Sequence, residues 1–152
     1  MARNVNGIMI KRLSAAMICM VLAVSIGQAQ ISVVVAESSR QTAGASEIKQ
    51  IFTGAKLVWA GGEKVLVADQ PESAISKAFY EKFVGKSVSQ VRTEWMKLVL
   101  SGQATAPKKC AGDAAVKEFL SDNPNAVGYI SSSALDERVK EIHRVSAAGK
   151  GE

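Results

Sequence analysis

The chain is poor in the side chains that build disulfides, metal centres and acid–base relays. Its 152 residues include two cysteines, one histidine and three prolines, and aromatic residues make up 5% of the chain. His143 has no cysteine, serine or carboxylate at a spacing that indicates catalysis, so we predict a solvated surface position for it. Neither a metal-ligand spacing nor a nucleotide-binding glycine pattern occurs. We therefore predict a protein that is not an enzyme and that uses no metal or cofactor.

The first 29 residues have the pattern of a secretory signal peptide. Lys11 and Arg12 precede the uncharged stretch 13–26, and the following Gly27-Gln28-Ala29 has small residues where a signal peptidase requires them. The apolar stretch is shorter than the roughly 20 residues that a membrane-spanning helix needs. We predict cleavage after Ala29, export to the periplasm and a mature chain that begins at residue 30.

The predicted mature chain keeps little net charge and a single cysteine. Three of the 19 basic residues lie in the signal peptide, which leaves 16 basic residues against 14 acidic ones. The basic character of the whole chain is therefore no argument for binding nucleic acid. Cys19 is also removed, so Cys110 has no partner for an intrachain disulfide. Lys108 and Lys109 precede Cys110, and their positive charges would lower the pKa of its thiol. Cys110 is therefore either a reactive thiol or an ordinary loop residue without reactivity.

Apolar periodicity predicts strands that alternate with helices along residues 30–145. The patterns indicate strands at 31–36, 65–68 and 126–130, a short extended piece at 57–59, an edge strand at 139–142, and loops at 37–45 and 103–109. They indicate helices from Ser46 to Gly54, from the turn 69–73 to Gly85, from the capping box Ser87–Gln90 to Gly102, and from an Asp113 cap to Asn123. This order predicts one α/β domain with a mostly parallel sheet and flanking helices, followed by a flexible tail at 146–152.

One strand-to-helix junction has the geometry of a small-anion site. The strand 65–68 runs into the turn 69–73, and an amphipathic helix opens directly after it. Backbone N–H groups in the first turn of a helix have no partner inside the helix and can face an oxyanion. Pro71 and the acids Asp69 and Glu72 are also typical of an ordinary helix start, which remains the alternative interpretation of this segment.

Five segments occur in the order seen in phosphate ABC transporter substrate-binding proteins. They are Ser46-Glu-Ile-Lys-Gln-Ile-Phe-Thr-Gly54, Val67-Ala-Asp-Gln-Pro-Glu72, Ala78-Phe-Tyr-Glu-Lys82, Trp95, and Asn123-Pro-Asn-Ala-Val-Gly-Tyr129. Over about residues 31–142 the chain resembles the short, single-lobe relatives of that family. The resemblance implies one lobe of a type II periplasmic binding protein, a phosphate-like ligand, and an ABC permease as a partner.

The resemblance also implies where a ligand would bind. In the family this turn carries an Arg, an acidic residue and a Gly-Ser-Gly-Thr run that together hold the phosphate oxygens. The sequence departs there, because Gln70 stands where Arg is common, Ala74 where Ser is common and Ile75 where the second Gly is common. Ser76 stands where Thr is common, and Ser73 adds a hydroxyl nearby. We expect Gln70, Ser73, Ala74 and Ser76 to face the ligand, and Ile75 to pack into the core.

The loop after the first strand completes the expected site. Ser38 and Ser39, followed by Arg40, would add hydroxyls and positive charge if both strands end at the same edge of the sheet. A single lobe cannot enclose its ligand, so we expect weak binding of phosphate or another small oxyanion unless the protein forms a homodimer or docks on another protein. The alternative is an interaction or sensory accessory module, with a membrane sensor as partner, that keeps the fold and binds no soluble ligand.

Overall fold

The computed structural model describes residues 30–146, which fold around one mixed sheet. Within these residues the strands are β1 (Ile31–Ala36), β2 (Leu66–Asp69), β3 (Lys108–Lys109), β4 (Ala126–Ser131) and β5 (Val139–Val145). The predicted signal peptide and, apart from Ser146, the predicted tail lie outside the described residues. No helix in the described part of the chain is long and apolar enough to cross a membrane.

Four helices flank the sheet in the described part of the chain. They are α1 (Ala45–Thr53), α2 (Ala74–Lys77, continued by a π-helical stretch, Ala78–Val84), α3 (Val88–Leu100) and α4 (Asp113–Asp122). A short 3₁₀ turn, Ser132–Ala134, connects β4 to the segment before β5. The prediction of an α/β domain with flanking helices is confirmed.

The sheet has the order β3-β2-β4-β1-β5. Strand β2 pairs in parallel with both β3 and β4, whereas β1 pairs antiparallel with β4 and with β5. Four strands therefore point the same way and β1 runs against them. The prediction of a mostly parallel sheet is confirmed, but β1 ends at the edge where the other four strands begin.

The sheet separates the core into two parts. Alternate residues of β1 divide between them, because successive side chains of a strand point to opposite faces: Val33 and Val35 join one part, and Val34 joins the other. The first part packs under α1, α2 and α3 and is rich in rings, which come from Phe52, Trp59, Phe79, Tyr80, Trp95 and Tyr129. The second part packs under α4, and its buried side chains are small or aliphatic, with the partly buried Phe119 packed against them.

Helix boundaries follow the sequence signals in some places and not in others. Ser87 caps α3 and forms the predicted capping box with Gln90, and Gly85 ends the second helix in the left-handed conformation at φ 85°. The predicted caps Ser46 and Asp113 are wrong. Glycines precede α1 and α4 instead, so Ser46 and Asp113 lie inside the first turns, and the Asp113 carboxylate makes tertiary contacts described below.

Two strands differ from the sequence prediction. The predicted loop 103–109 ends in the two-residue strand β3, which the periodicity could not show because Lys108 and Lys109 are both exposed. The predicted edge strand at 139–142 continues to Val145, beyond a bulge opposite Val33 and Val34. The bulge allows the strand to keep pairing with β1 to its first residue, Ile31.

Candidate functional site

The carboxylate of Asp69 is the centre of a buried polar network where β2 ends. Its Oδ1 accepts hydrogen bonds from the hydroxyls of Tyr80, at 3.0 Å, and Tyr129, at 2.8 Å, and from the backbone N–H of Gln70, at 2.9 Å. Its Oδ2 is paired with the ammonium group of Lys109 on the neighbouring strand. Both carboxylate oxygens of Asp69 are thus occupied, and their hydrogen bonds connect β2 with β3, β4 and the second helix.

The two phenols in this network stay protonated. Burial raises the pKa of Tyr80 and of Tyr129 well above the usual value, and the negative charge of Asp69 raises each pKa further. A neutral phenol can donate its proton to the carboxylate, whereas a phenolate would repel it. At neutral pH both phenols therefore act as hydrogen-bond donors to Asp69.

Gln70 stands where the related family has Arg, and its side chain forms hydrogen bonds inside the protein. The side chain is 4% exposed, and its Nε2 donates to Asp113 Oδ1 at 2.9 Å and to the carbonyl of Tyr129 at 3.0 Å. The other carboxylate oxygen of Asp113 accepts a hydrogen bond from the backbone N–H of Ser131 at 3.2 Å. Both Nε2 protons are therefore used to join β2 to β4 and to the start of α4, so Nε2 has none to offer to an anion.

The hydroxyl of Ser76 forms hydrogen bonds with the backbone at the start of the second helix. Ser76 is fully buried, accepts a hydrogen bond from the backbone N–H of Ser73 at 2.8 Å, and lies 3.1 Å from the carbonyl oxygens of Pro71 and Ser73. Ser73 is the N-cap, and its Oγ accepts from the backbone N–H of Ser76 at 3.5 Å. The two serines thus form a capping box, in which Ser73 Oγ also donates to Ser76 Oγ at 3.4 Å, and Ser73 is the exposed residue of the pair.

Two backbone N–H groups remain open at this helix start. Those of Ala74 and Ile75 donate no hydrogen bond to any residue within 30–146. Ala74 is exposed, and the side chain of Ile75 packs against the ring-rich part of the core, as predicted. N–H groups in a first turn carry the positive end of the helix dipole, so these two donors face the position that an oxyanion would take.

The acids beside the turn are neutralised by bases. Glu72 lies 3.3 Å from the ammonium of Lys77 and 3.5 Å from the guanidinium of Arg92, and Asp69 is paired with Lys109. Three cations therefore surround two carboxylates. The repulsion that these acids would exert on an anion is compensated by side chains that sequence order alone does not place together.

The expected contribution of Ser38 and Ser39 to the same site is wrong. Val127 in β4 pairs with Val67 on one side and with Val35 on the other, so the end of β1 is level with the beginning of β2. Because β1 runs against β2, the loop that follows it lies at the opposite edge of the sheet from Ser73. Ser39 is buried there and hydrogen-bonds its own loop.

The remaining candidate residues do not form a catalytic or metal site in the described part of the chain. Cys110 is buried, and its burial raises the pKa of the thiol more than Lys108 lowers it, which indicates an unreactive group. The predicted surface position of His143 is only partly solvated, because the imidazole is half-buried with its ring centre 5.1 Å from that of Phe83. Residues 30–146 contain no cluster of three or more side chains suited to a metal ion.

Sequence reasoning missed the side chains that hold this edge together. Tyr80, Tyr129, Lys109 and Asp113 were not predicted to meet, although Tyr129 lies two residues after the buried Val127 and so had to share its face. A pattern could have indicated that placement. The pairing of Lys109 with Asp69 depends on β3, which has no pattern in the sequence.

Comparisons with known proteins identify this arrangement at the level of the fold. No protein-family model and no curated protein matches the chain. A protein of Clostridium perfringens, described as a phosphate ABC transporter substrate-binding protein and solved with bound phosphate, matches with 24% identity and a TM-score of 0.61 over 76% of this chain and 45% of that chain. The described residues have the fold of one lobe of such a binding protein.

Further solved structures support the same relationship. An ABC-type phosphate transport receptor of Vibrio cholerae matches with 20% identity and a TM-score of 0.60, and PstS of Borrelia burgdorferi with 13% identity and a TM-score of 0.52. The matches cover 76% and 68% of this chain, and 47% and 42% of those chains. The binding-protein lobe thus spans about half the length of the solved relatives that it matches.

Proposed function

We propose that the protein is a periplasmic, non-enzymatic binding-protein lobe that holds phosphate or a related small oxyanion at the start of the second helix. The observation that carries the proposal is the pair of open N–H groups of Ala74 and Ile75, which form the positive end of the helix dipole, with the exposed Ser73 beside them. The likeness of the fold to phosphate-binding proteins supports this choice of ligand.

We expect the affinity to be low. The planar Arg fork of the related family is replaced by Gln70, whose Nε2 protons are used inside the protein. The solved relatives are about twice as long as the matched region, and closure of two lobes around a ligand is what gives such receptors high affinity and a signal to their transporter. Tight binding by this lobe therefore needs a second surface, from a permease, another protein or a second copy.

Proline at position 74 provides the sharpest test of the backbone site. Ala74→Pro removes one N–H group at the first helical position, where proline is well tolerated, and the preceding Ser73 already has the extended conformation that proline requires. Titration calorimetry with phosphate and sulfate should give millimolar binding for the natural protein and at least tenfold weaker binding for Ala74→Pro, since a charge-assisted hydrogen bond contributes about 1.5–3 kcal/mol.

Ala74→Gly is the matched control, because it changes the same side chain and keeps the N–H group. It should bind phosphate as the natural protein does. Absence of heat with every oxyanion at millimolar concentration would remove the proposal, and equal binding by Ala74→Pro would move the site elsewhere. Ser76→Ala is unsuitable here, because loss of its buried hydroxyl would weaken the helix cap whether or not a ligand binds.

A second candidate function is an interaction module without a soluble ligand. It is favoured by one observation: Gln70 and Ser76, two of the positions where the related family holds phosphate, are both occupied by internal hydrogen bonds. Under this proposal the partner is an ABC permease or a membrane sensor. Cross-linking in the native membrane should then capture a membrane protein, and phosphate should give no heat.

A further inference from the structure

Three exposed apolar side chains form one stripe on α3. Among residues 30–146 four large apolar side chains are exposed, and three of them are Met96, at 60%, Val99, at 37%, and Leu100, at 79%. They lie at positions i, i+3 and i+4 of one helix, so they share a face. The stripe also lines an apolar cavity of about 370 Å³, together with Pro107 from the segment before β3. Apolar surface that is clustered in this way is typical of an interaction site.

The polar side chains that line this cavity are already engaged inside the protein. Tyr80 donates to Asp69, Lys109 is paired with Asp69, and the guanidinium of Arg92 lies 3.5 Å from Glu72. The Nε atom of Arg92 is buried, so an occupant of the cavity cannot reach it. The cavity therefore extends the apolar surface of the stripe, and the polar groups that distinguish one partner from another must lie around the stripe.

Two exposed lysines flank the stripe without an ionic partner among residues 30–146. Lys97 follows Met96 in α3, and Lys108 stands between Pro107 and Lys109, which both line the cavity. Neither Lys97 nor Lys108 lies within 4.0 Å of a carboxylate oxygen in this part of the chain. The apolar stripe thus has positive charge on both sides.

The acids near the stripe do not offset this charge. Glu94 of α3 is paired with Lys86 at 2.6 Å, and Glu72 is shared between Arg92 and Lys77. One carboxylate between two cations leaves a further positive charge. The surface around the stripe therefore combines exposed apolar side chains with a surplus of positive charge, which favours an anionic partner.

These charges distinguish between the possible partners. In a twofold dimer the stripe would meet its own copy, and the two positive surpluses would repel each other. A lysine is a flexible point charge without the planar fork that fixes a single anionic group, so Lys97 and Lys108 suit a layer of many head groups. An anionic bilayer offers such a layer, with apolar chains beneath it.

We propose that this surface of α3 docks the domain on an anionic membrane surface. The side chains of Met96, Val99 and Leu100 enter the interface between head groups and acyl chains, and Lys97 and Lys108 lie among the lipid phosphates. The proposal does not use the N–H groups at the start of the second helix, so it is independent of the proposed oxyanion site.

Co-sedimentation with lipid vesicles tests the proposal. The chain 30–152, which contains the whole described domain, should bind vesicles of phosphatidylglycerol and phosphatidylcholine in equal parts at least about tenfold more tightly than vesicles of phosphatidylcholine alone. Roughly 0.5 M salt should remove most of the binding, because the lysines remain exposed to the solvent and are screened. Equal binding to both kinds of vesicle, or no binding to either, would overturn the proposal.

Three single variants locate the surface. Leu100→Ser should weaken binding to the anionic vesicles by about tenfold, because it removes the most exposed apolar side chain of the stripe. Lys97→Gln should weaken it by about fivefold. Arg40→Gln is the matched control: Arg40 is also exposed, but it follows β1, and β2 and β4 lie between β1 and β3.

Arg40→Gln should change vesicle binding less than about twofold. Equal weakening by Arg40→Gln and Lys97→Gln would show attraction to the net charge alone and would overturn the assignment of the surface. Thermal unfolding followed by circular dichroism should coincide for all four proteins, because each change is made at an exposed side chain.

Two other partners are separable outcomes of the same experiments. Sedimentation velocity without lipid should show a monomer, and a dimer that Leu100→Ser dissociates, with no vesicle binding, would assign the stripe to a second copy. Binding to native membranes but not to lipid vesicles would assign it to a membrane protein. Either result would overturn the proposal. Ala74→Pro should bind vesicles as the natural protein does, so a failure of phosphate to bind leaves this proposal intact.

Discussion

The two faces of the sheet are built from different side chains. On one face, under three helices, Phe79 stacks on Tyr129 at 4.2 Å between ring centres and meets Phe52 edge-on at 4.7 Å. On the other face α4 lies so close that a Cβ on Gly128 would come within 2.7 Å of Val116. This difference explains why the polar network around Asp69 lies on the ring-rich face. Phenol rings can fill the core and still deliver a hydroxyl to Asp69 at the end of a strand, whereas aliphatic side chains cannot.

Loss of a ring should have the largest effect. Phe79→Ala is expected to lower the free energy of unfolding by about 4 kcal/mol, and Leu120→Ala on the α4 face by about 3 kcal/mol, because both residues are fully buried and the ring leaves the larger cavity. Urea denaturation of the two variants measures this. A larger loss for Leu120→Ala would break the comparison, since it would show that the aliphatic face carries more of the stability.

Removal of the shared acceptor should come next. Asp69→Ala is expected to cost about 3 kcal/mol, because two buried phenols and a backbone N–H group lose their acceptor together. Asp69→Asn keeps one acceptor oxygen and should cost less in the same denaturation experiment.

Lys109→Met removes the ion pair with Asp69 and keeps the hydrogen bonds from the two phenols, so it measures the contribution of the ion pair to stability by itself. The ammonium side chain is half exposed, so its loss should cost less than about 1 kcal/mol. If Lys109→Met proved as harmful as Asp69→Ala, the ion pair and not the aromatic face would be the source of the stability at this edge.

On the α4 face, where Gly128 lies close to Val116, an added methyl group should destabilise the protein by overpacking and not by leaving a cavity. Gly128→Ala adds a methyl group that meets Val116 and, at 3.1 Å, Ala68, and overpacking of this sort costs about 2 kcal/mol. Val116→Ala makes room for the added methyl. The double variant should therefore be more stable than the sum of the two single changes predicts, and strict additivity in thermal unfolding would contradict the packing argument.

Alkaline pH should weaken the aromatic face selectively. The raised pKa values of Tyr80 and Tyr129 mean that the folded protein keeps protons that the unfolded chain releases near pH 10. Stability is thus fully present below that pH and falls above it, by about 1 kcal/mol for each tyrosine over the first pH unit.

Tyr129→Phe removes one of these two groups, so its stability should fall less steeply with rising pH than that of the natural protein. Denaturation midpoints measured at pH 9, 10 and about 11 provide the comparison. Parallel slopes for the two proteins would show that the Tyr129 phenol does not contribute.

The sequence predicts the fold well where a few neighbouring residues determine a local structure. The strand β1, the capping box at Ser87 and the end of the second helix at Gly85 are each predicted from a few neighbouring residues, and the structure confirms them. Local signals of this kind depend on backbone geometry and on hydrogen bonds within one turn, so they do not need the rest of the protein.

The candidate site was harder to predict because its contacts are distant in sequence. Gln70 meets Asp113, and Asp69 meets Lys109, only because β3 and α4 lie beside the end of β2. Tyr80 is buried beside Phe79 in the π-helical stretch Ala78–Val84, where the backbone departs from the regular 3.6-residue period. The direction of β1, which excludes Ser38 and Ser39 from the site, is likewise a property of the whole sheet.

The antiparallel position of β1 also determines where attachments to the domain would lie. Ile31 pairs with Val145 in β5 and with Ser131 at the end of β4, so the described chain starts and finishes side by side at the edge that carries Asp69 and Gln70. At about 4.8 Å for each strand spacing, β1 lies roughly 10 Å from β2. A dye attached at residue 30 or residue 146 would lie within reach of the candidate ligand. A fluorophore there could report on binding, whereas a bulky tag there could obstruct it.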